Sequence, residues 1–498
     1  MSARRNQLLA AVAALTLTPV AALAVTTPGE AMPAPAAAAL ATEPAAKLWA
    51  PVKVVGYLYG SRERTRVPID ARLIAGAAPL ELWSNRTSYA EPITTVWRTP
   101  DGDVALPPGS MSTFNALDDF VNISVKNLTT GKQLKTRHQD VCLNSRGDRV
   151  RPDAPARSPY PKYCFANPYS LGSVQGIQAG WSTSLLGGDE GRGGGVRLEK
   201  GIYDVKVTIA PAYARILKIP AADATRTVRV RVKRDDGGHD HGGGVPIEPS
   251  HRLAQPAANP PTGPELLAVE GPRPNLRSLP AWGITMAENG NFLRFAATVW
   301  NAGDSPLVVD GFRVEAQDLM DAYQYFFDGD GNQTGYQKIG SFEYDDKASH
   351  QHWHFRDFAR YTLLRADKTT AAVSKKESFC LANTDSIDQT VPNADWNPEN
   401  TDLSTDCGEP GSMSLREVLS AGWGDTYAQF RAGQSFNLKG LPNGTYYIAT
   451  IANPRNRLVE SSTADNTSLR KIYVSGTDGN RKVRVPKIGL IEEPTEQW

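Results

Sequence analysis

The sequence lacks several features that settle function early in other proteins. It has no surplus of charge: 54 Lys and Arg stand against 53 Asp and Glu, a formal net of +1. Nucleic-acid binders and polybasic membrane-surface proteins need concentrated cationic charge, so neither class is expected. Beyond the N-terminus no apolar run approaches the ~20 residues of a membrane-spanning helix, so no membrane span is expected. Cysteines number only four, none in a Cys-x-x-Cys arrangement, which disfavours a thiolate metal site. There is no Ser/His/Asp hydrolase context and no glycine-rich phosphate loop. Histidine is scarce too, at seven in 498 residues, and that scarcity makes any cluster of imidazoles informative.

What is present begins with a processing segment. Arg4 and Arg5 precede an apolar run from Leu8 to Ala24 that ends in the small-x-small pattern Ala22-Leu23-Ala24. This predicts a signal peptide over 1–24 and a secreted, extracellular protein. Residues 25–46 are rich in Ala and Pro and read as disordered. In an oxidising compartment the four cysteines are free to pair. Of three possible connectivities, the spacing favours Cys142–Cys164 and Cys380–Cys407.

A second low-complexity stretch, 235–264, opens Asp235-Asp236-Gly-Gly-His239-Asp-His241 and continues rich in Gly and Pro. It holds too little apolar material to fold. It divides the chain into blocks at 47–234 and 265–478, followed by a charged tail at 479–498. Segments such as Tyr203-Asp-Val-Lys-Val-Thr-Ile209 and Phe292-Leu-Arg-Phe-Ala-Ala-Thr-Val299 alternate apolar with polar residues, as half-buried strands do. The prediction is an all-β chain of two β-sandwich-type domains joined by a Gly/Pro-rich linker. Leu415 to Ala421 is the best candidate for a short helix. The blocks also read as diverged copies. Cys164-Phe-Ala-Asn167 echoes Cys380-Leu-Ala-Asn383, Gly180-Trp181 echoes Gly422-Trp423, and Gly201-Ile-Tyr203 echoes Gly444-Thr-Tyr446.

Three of the histidines fall within five residues, His350-Gln-His352-Trp-His354. On a strand, period two puts all three imidazoles on one face. Imidazole suits divalent copper and zinc, and three neutral nitrogens leave positions open for a reactive ligand. Four residues of extended strand span ~13 Å, so one metal can collect all three rings only where the strand twists or bulges.

The run continues as Phe-Arg-Asp357-Phe358-Ala-Arg-Tyr361, and the whole resembles the copper-binding segment of lysyl oxidases. The resemblance covers roughly 270–475. It passes through Lys376-Glu-Ser378-Phe379-Cys380-Leu381, Trp423-Gly-Asp425-Thr426-Tyr427, Gly444-Thr-Tyr446 and Leu458-Val459-Glu460. It implies Cu(2+) held by His350, His352 and His354, and a lysine tyrosylquinone made from the Lys376 amine and the Tyr427 ring. The implied activity is that of a copper-dependent protein-lysine 6-oxidase or primary-amine oxidase. Such an enzyme turns a primary amine or peptidyl lysine into an aldehyde, consumes O2 and releases H2O2 and ammonia. Asp425 and Asp357 are the candidate bases. In the first block, counting from the shared Trp and Cys puts Leu185 at the place of Tyr427 and Tyr160 at that of Lys376. Only His138-Gln139 answers the histidine run there, so 47–234 reads as a non-catalytic module.

Departures from the animal enzymes bear on substrate. The second block has two cysteines where those enzymes have several bridges, and Ser349 stands where they have Cys, so collagen or elastin is not implied. Gly444 to Val474 also resembles small sandwich modules of adhesins, and the alternative reading is a secreted adhesion or scaffold protein with a structural metal. A zinc hydrolase using the same imidazoles is a third. Asp328-Gly-Asp330-Gly-Asn332-Gln-Thr334-Gly335 alternates oxygen ligands like a calcium loop. However, Gln333 and Ile339 occupy the positions of the required Gly and bidentate Glu, and a Gly-rich hairpin is the simpler reading.

Overall fold

The computed structural model describes residues 44–494, apart from 135, 146, 165, 187–194, 235–258, 267–269, 315–318, 346–351, 375, 377 and 399–402. The predicted signal peptide, most of the Ala/Pro-rich segment, the linker up to residue 258 with its three histidines, and His350 therefore lie outside the described residues. The fold is all-β. Among the described residues the α-helix is confined to Pro211–Ile216, opened by a proline whose fixed φ suits the first helical turn.

The segment expected to be a short helix, Leu415 to Ala421, is instead mostly strand, Ser414–Leu419. Its Leu, Arg and Glu favour helix only by tenths of a kcal/mol per residue. That preference is outweighed by six register pairs with the strand Leu307–Arg313. The predicted tail is corrected as well. Asn480–Arg484 forms an antiparallel strand against Thr467–Thr477, across a tight turn in which Gly479 takes φ +77°. Ile491 is buried, and Glu493 accepts a hydrogen bond from the Tyr169 hydroxyl.

The internal repeat seen in sequence is matched by strand order. In the first block one sheet runs Ala46–Trp49, Arg72–Ala75, Trp181–Ser184, Asp148–Arg149. In the second its counterpart runs Leu276–Ser278, Phe292–Asn301, Trp423–Tyr427, Asp385–Ser386. A second sheet places Gly172–Ile177 beside Leu80–Asn85, Thr94–Thr99 and Gly102–Ala105. Its counterpart places Ser414–Leu419 beside Leu307–Arg313, Leu319–Phe327 and Gln333–Asp345. The third has Thr225–Arg234, Gly201–Ile209, Leu117–Asn127 and Arg137–Val141, against Thr467–Thr477, Gly444–Ala452, Ala359–Arg365 and Thr370–Val373. The second block extends its middle sheet by two further strands, His352–Arg356 and Ser378–Phe379. The histidine strand is one of these additions.

Both cysteine pairings expected from spacing are present, Cys142–Cys164 and Cys380–Cys407. Matching the strands aligns Cys142, not Cys164, with Cys380. The residue four before the cysteine is then His138, so Tyr160 is not the counterpart of Lys376. Counting from tetrapeptide similarity misled because Cys-x-Ala-Asn recurs at the two different ends of the bridges.

Each block has its own hydrophobic core, one running from Ala46 to Val232 and one from Leu276 to Val474. A third cluster is shared: Tyr169 packs with Trp282, Trp300, Ile387 and Ile491. Backbone and side-chain hydrogen bonds cross the same seam. The Leu171 N–H donates to Ile387 O at 2.6 Å, the Val174 N–H to Gln389 Oε1 at 2.8 Å, and the Asn167 amide to Thr298 Oγ1 at 3.0 Å. Residues 44–498 accordingly cluster as one compact unit. Thr298 in turn is hydrogen-bonded to Thr426, so the first block buttresses the back of the strand that carries Tyr427.

Candidate active site

The histidine strand, His352–Arg356, lies between Gln333–Asp345 and the edge strand Ser378–Phe379. Alternation turns Trp353 and Phe355 into the core, where both are buried, and sets His352 and His354 on the other face. The two rings converge. Their Nε2 atoms are 3.0 Å apart and their planes are nearly perpendicular. A metal–imidazole bond is ~2.0–2.1 Å long, so two such bonds at a right angle hold their nitrogens about 2.9 Å apart. The pair thus fits neighbouring positions around one divalent ion of tetragonal preference, such as Cu(2+). Without a cation one of these nitrogens must carry the proton between them; a metal replaces that proton. His354 is 1 % exposed, and its Nδ1 lies 3.9 Å from Asp345 Oδ2, an ion-pair distance longer than a hydrogen bond.

Lys376 and Tyr427, distant in sequence, are brought together. Lys376 is 5 % exposed, and its Nζ sits 4.5 Å from the centroid of the Tyr427 ring and 5.4 Å from that of Phe379. Its backbone is fixed by Ser374, whose Oγ accepts the Lys376 N–H at 3.1 Å and donates to Gly433 O. Gly433 takes φ +86°, and a Cβ there would lie 3.1 Å from the Lys376 backbone nitrogen, so a larger residue would push the lysine aside. Tyr427 enters from Trp423–Tyr427, whose register opposite Phe292–Asn301 pairs Tyr427 with Ala297. Its hydroxyl accepts the Cys380 N–H at 2.9 Å and donates to Cys380 O at 3.2 Å. This satisfies backbone groups of an edge strand that has no further neighbour. The ring packs edge-on against Phe379 at 5.0 Å, and Phe379 against Tyr361 and Phe358.

The two half-sites share one strand pair. Phe355 lies opposite Phe379, so the imidazole strand is bonded to the strand flanked by Lys376 and Cys380.

The electrostatics around Lys376 are unusual for a core. Asp425, two residues before Tyr427 and on the same face, is 4 % exposed, and its Oδ2 has no hydrogen-bond partner among the described residues. Burial pushes its carboxyl well above the usual range, with Lys376 opposing that shift and Asp385 adding to it. Glu417 is fully buried between Leu415 and Leu419, with its Oε2 accepting the Leu381 N–H at 2.9 Å. Desolvation raises it well above its ordinary value too. The Tyr427 phenol is likewise pushed up by burial and then by Asp425, which keeps it neutral. The carboxylate of Glu417 also lies within 4.8 Å of the sulfurs of Cys380 and Cys407, but those are spent in a disulfide and offer no thiolate.

Asp357, the other candidate base, stands at the turn that follows the histidine strand. It holds φ +64° at a tight turn and pairs with Arg455 at 3.0 Å and Arg457 at 3.6 Å. The Asp328–Gly335 segment forms the hairpin between Leu319–Phe327 and Gln333–Asp345, with Asp328 Oδ1 accepting the N–H groups of Asp330 and Asn332. Sequence reasoning missed Glu417. The signal was there, since Leu415-Arg-Glu417-Val-Leu419 read as a strand buries a carboxyl on an apolar face, but the helix reading sent that carboxyl to solvent.

Among the described residues an all-β scaffold thus holds two converging imidazoles and a buried amine–phenol pair. Residues 331–483 match the family model for lysyl oxidase, which places this segment in the lysyl oxidase family, one of copper-dependent amine oxidases. Comparison with curated proteins gives no match.

Proposed function

We propose that the protein is a secreted copper-dependent amine oxidase that acts on primary amines, peptidyl lysine included, through a lysine tyrosylquinone formed from Lys376 and Tyr427. The observation that carries this reading is the burial of the Lys376 amine against the Tyr427 ring at 4.5 Å. Burying a lysine is costly unless its charge is used or neutralised. His350, His352 and His354 would hold Cu(2+); the 3.0 Å convergence of two of them supports that assignment. Copper and O2 supply the oxidising chemistry that makes a quinone of a phenol, and a lysine-linked quinone offers primary amines a carbonyl electrophile.

The chain's own residues do the rest. The backbone of Cys380 fixes the direction of the Tyr427 C–O bond. Phe379, itself held by Tyr361 and Phe358, packs edge-on against the ring and lies beside the amine, which keeps water from that side. Asp425 is the proposed base for the substrate carbon. Burial raises its affinity for protons, the direction that a proton-accepting carboxyl needs. The first block is proposed as a non-catalytic support, since the histidine strand has no counterpart in it.

The deciding experiment is a peptide map of copper-loaded, aerated protein, with quinone redox staining after denaturation. A peptide carrying Lys376 joined to Tyr427, together with peroxide release on a panel of primary amines, is the expected result. Two ordinary unlinked peptides would instead support a scaffold protein with a structural metal.

A further inference from the structure

The internal repeat provides a control for one buried group that the proposed chemistry leaves unused. In the first block Gln175, fourth residue of Gly172–Ile177, accepts the N–H of Leu143, the residue after Cys142, at 3.0 Å. In the second block Glu417, fourth residue of Ser414–Leu419, accepts the N–H of Leu381, the residue after Cys380, at 2.9 Å. The two positions are equivalent in strand, register and bond. The fold is therefore served by a neutral amide. Gln175 uses its Nε2 as well, donating to Phe114 O at 3.4 Å. The matching atom of Glu417, Oε1, is buried with no hydrogen-bond partner among the described residues.

A carboxyl has thus replaced an amide at a place where the backbone needs only the acceptor, and where an ionised carboxylate is strongly disfavoured. What differs between the copies is the neighbourhood. Lys376 and Tyr427 exist only in the second; Leu185 occupies the tyrosine position of the first. The groups facing Glu417 are few. The strand Trp423–Tyr427 brings Asp425, with Asp385 behind it, and Tyr427. The segment leading to Cys380 brings Lys376, and the sulfurs of Cys380 and Cys407 both lie within 4.8 Å of the carboxyl. From the partner strand Leu307–Arg313, Asp310 is held on the opposite face by Arg416.

We propose that Glu417 is the positioning residue that sets the charge of Lys376: it takes the proton of the ammonium and so leaves an uncharged amine beside the Tyr427 ring. One proton moves and no electrons do. An N–H bond of the ammonium breaks and an O–H bond forms on the Glu417 carboxylate, so that two buried opposite charges that act on one another become a neutral amine and a neutral acid. The proposal rests on the reading of Lys376 and Tyr427 as quinone precursors, because only an uncharged amine can add to an oxidised ring.

The test is Glu417→Gln in the full chain, a substitution that copies Gln175 and keeps the bond to Leu381. The variant should fold, with an unchanged near-ultraviolet circular dichroism spectrum. At pH 7, with copper and air, the Lys376–Tyr427 cross-linked peptide should form at least tenfold more slowly. Raising the pH toward the ordinary lysine pKa of ~10.4 should restore the rate, which a merely structural lesion would not allow. A folded variant that cross-links at the wild-type rate at pH 7 overturns the proposal. Infrared spectroscopy of the copper-free protein is independent of any quinone. The carbonyl band of the protonated Glu417 carboxyl, identified as the component that Glu417→Gln removes from the wild-type spectrum, should shift in Lys376→Met. If wild type forms no cross-link, the quinone reading fails by itself, and an unshifted band in Lys376→Met overturns the Glu417–Lys376 coupling separately.

Discussion

Removing one oxygen atom by Tyr427→Phe separates the structural task of this tyrosine from its chemical one. The hydroxyl makes two hydrogen bonds to Cys380, at 2.9 Å and 3.2 Å. Each contributes about 1 kcal/mol net, and their loss leaves a partly buried N–H and C=O on an edge strand without partners. The ring contacts with Phe379 survive, so the cost should stay near 2 kcal/mol. For a block of this size that is about 4–8 °C in the midpoint of thermal unfolding. The assay is differential scanning calorimetry of copper-free protein, paired with quinone staining and peroxide release after copper loading. Stability should fall by that modest amount, while staining and amine oxidation vanish altogether. Lys376→Met should also abolish both, with the Tyr427–Cys380 bonds intact. Amine-dependent peroxide from folded Tyr427→Phe would refute the assignment of the ring as the quinone precursor. An unchanged midpoint would refute the account of the edge strand.

Three further outcomes follow from the geometry. His352→Ala or His354→Ala removes one half of the 3.0 Å nitrogen pair and should weaken copper binding at least tenfold in a chelator competition; stoichiometric copper at wild-type affinity would show that the ion sits elsewhere. Asp357→Asn breaks the pairs with Arg455 and Arg457, which are half-exposed, and should cost no more than about 1 kcal/mol with the oxidase rate retained, whereas a rate collapse in a stable variant would restore Asp357 as the base. The third concerns pH. Glu417 has a folded pKa raised above its ordinary 4.5 by burial, so its contribution to stability is full below about pH 4.5 and is lost as pH rises toward the folded pKa. Denaturant midpoints of Glu417→Gln and wild type should therefore diverge in favour of the variant above about pH 5; parallel curves from pH 4 to 8 would mean that Glu417 titrates as it does in the unfolded chain.

The chemistry-bearing types were legible because they are local and rare. His352 and His354, at spacing two, need no tertiary information to face one way, since a strand's pleat alone dictates it, and cysteine pairing was readable because each partner was the nearest. The β class and the repeat were written in alternation and in landmark order. The sequence could not show that Leu415 to Leu419 is a strand. Its local preference for helix is weak and was overruled by pairing with a partner a hundred residues away, and the burial of Glu417 went unseen with it. Equally hidden was which cysteine of one block matches which of the other, because strand order and not tetrapeptide likeness fixes that correspondence. The approach of Lys376 to Tyr427 is the clearest case. Fifty residues separate them in the chain, and only the register of Trp423–Tyr427 against Phe292–Asn301, with the turn at Gly433, closes that gap.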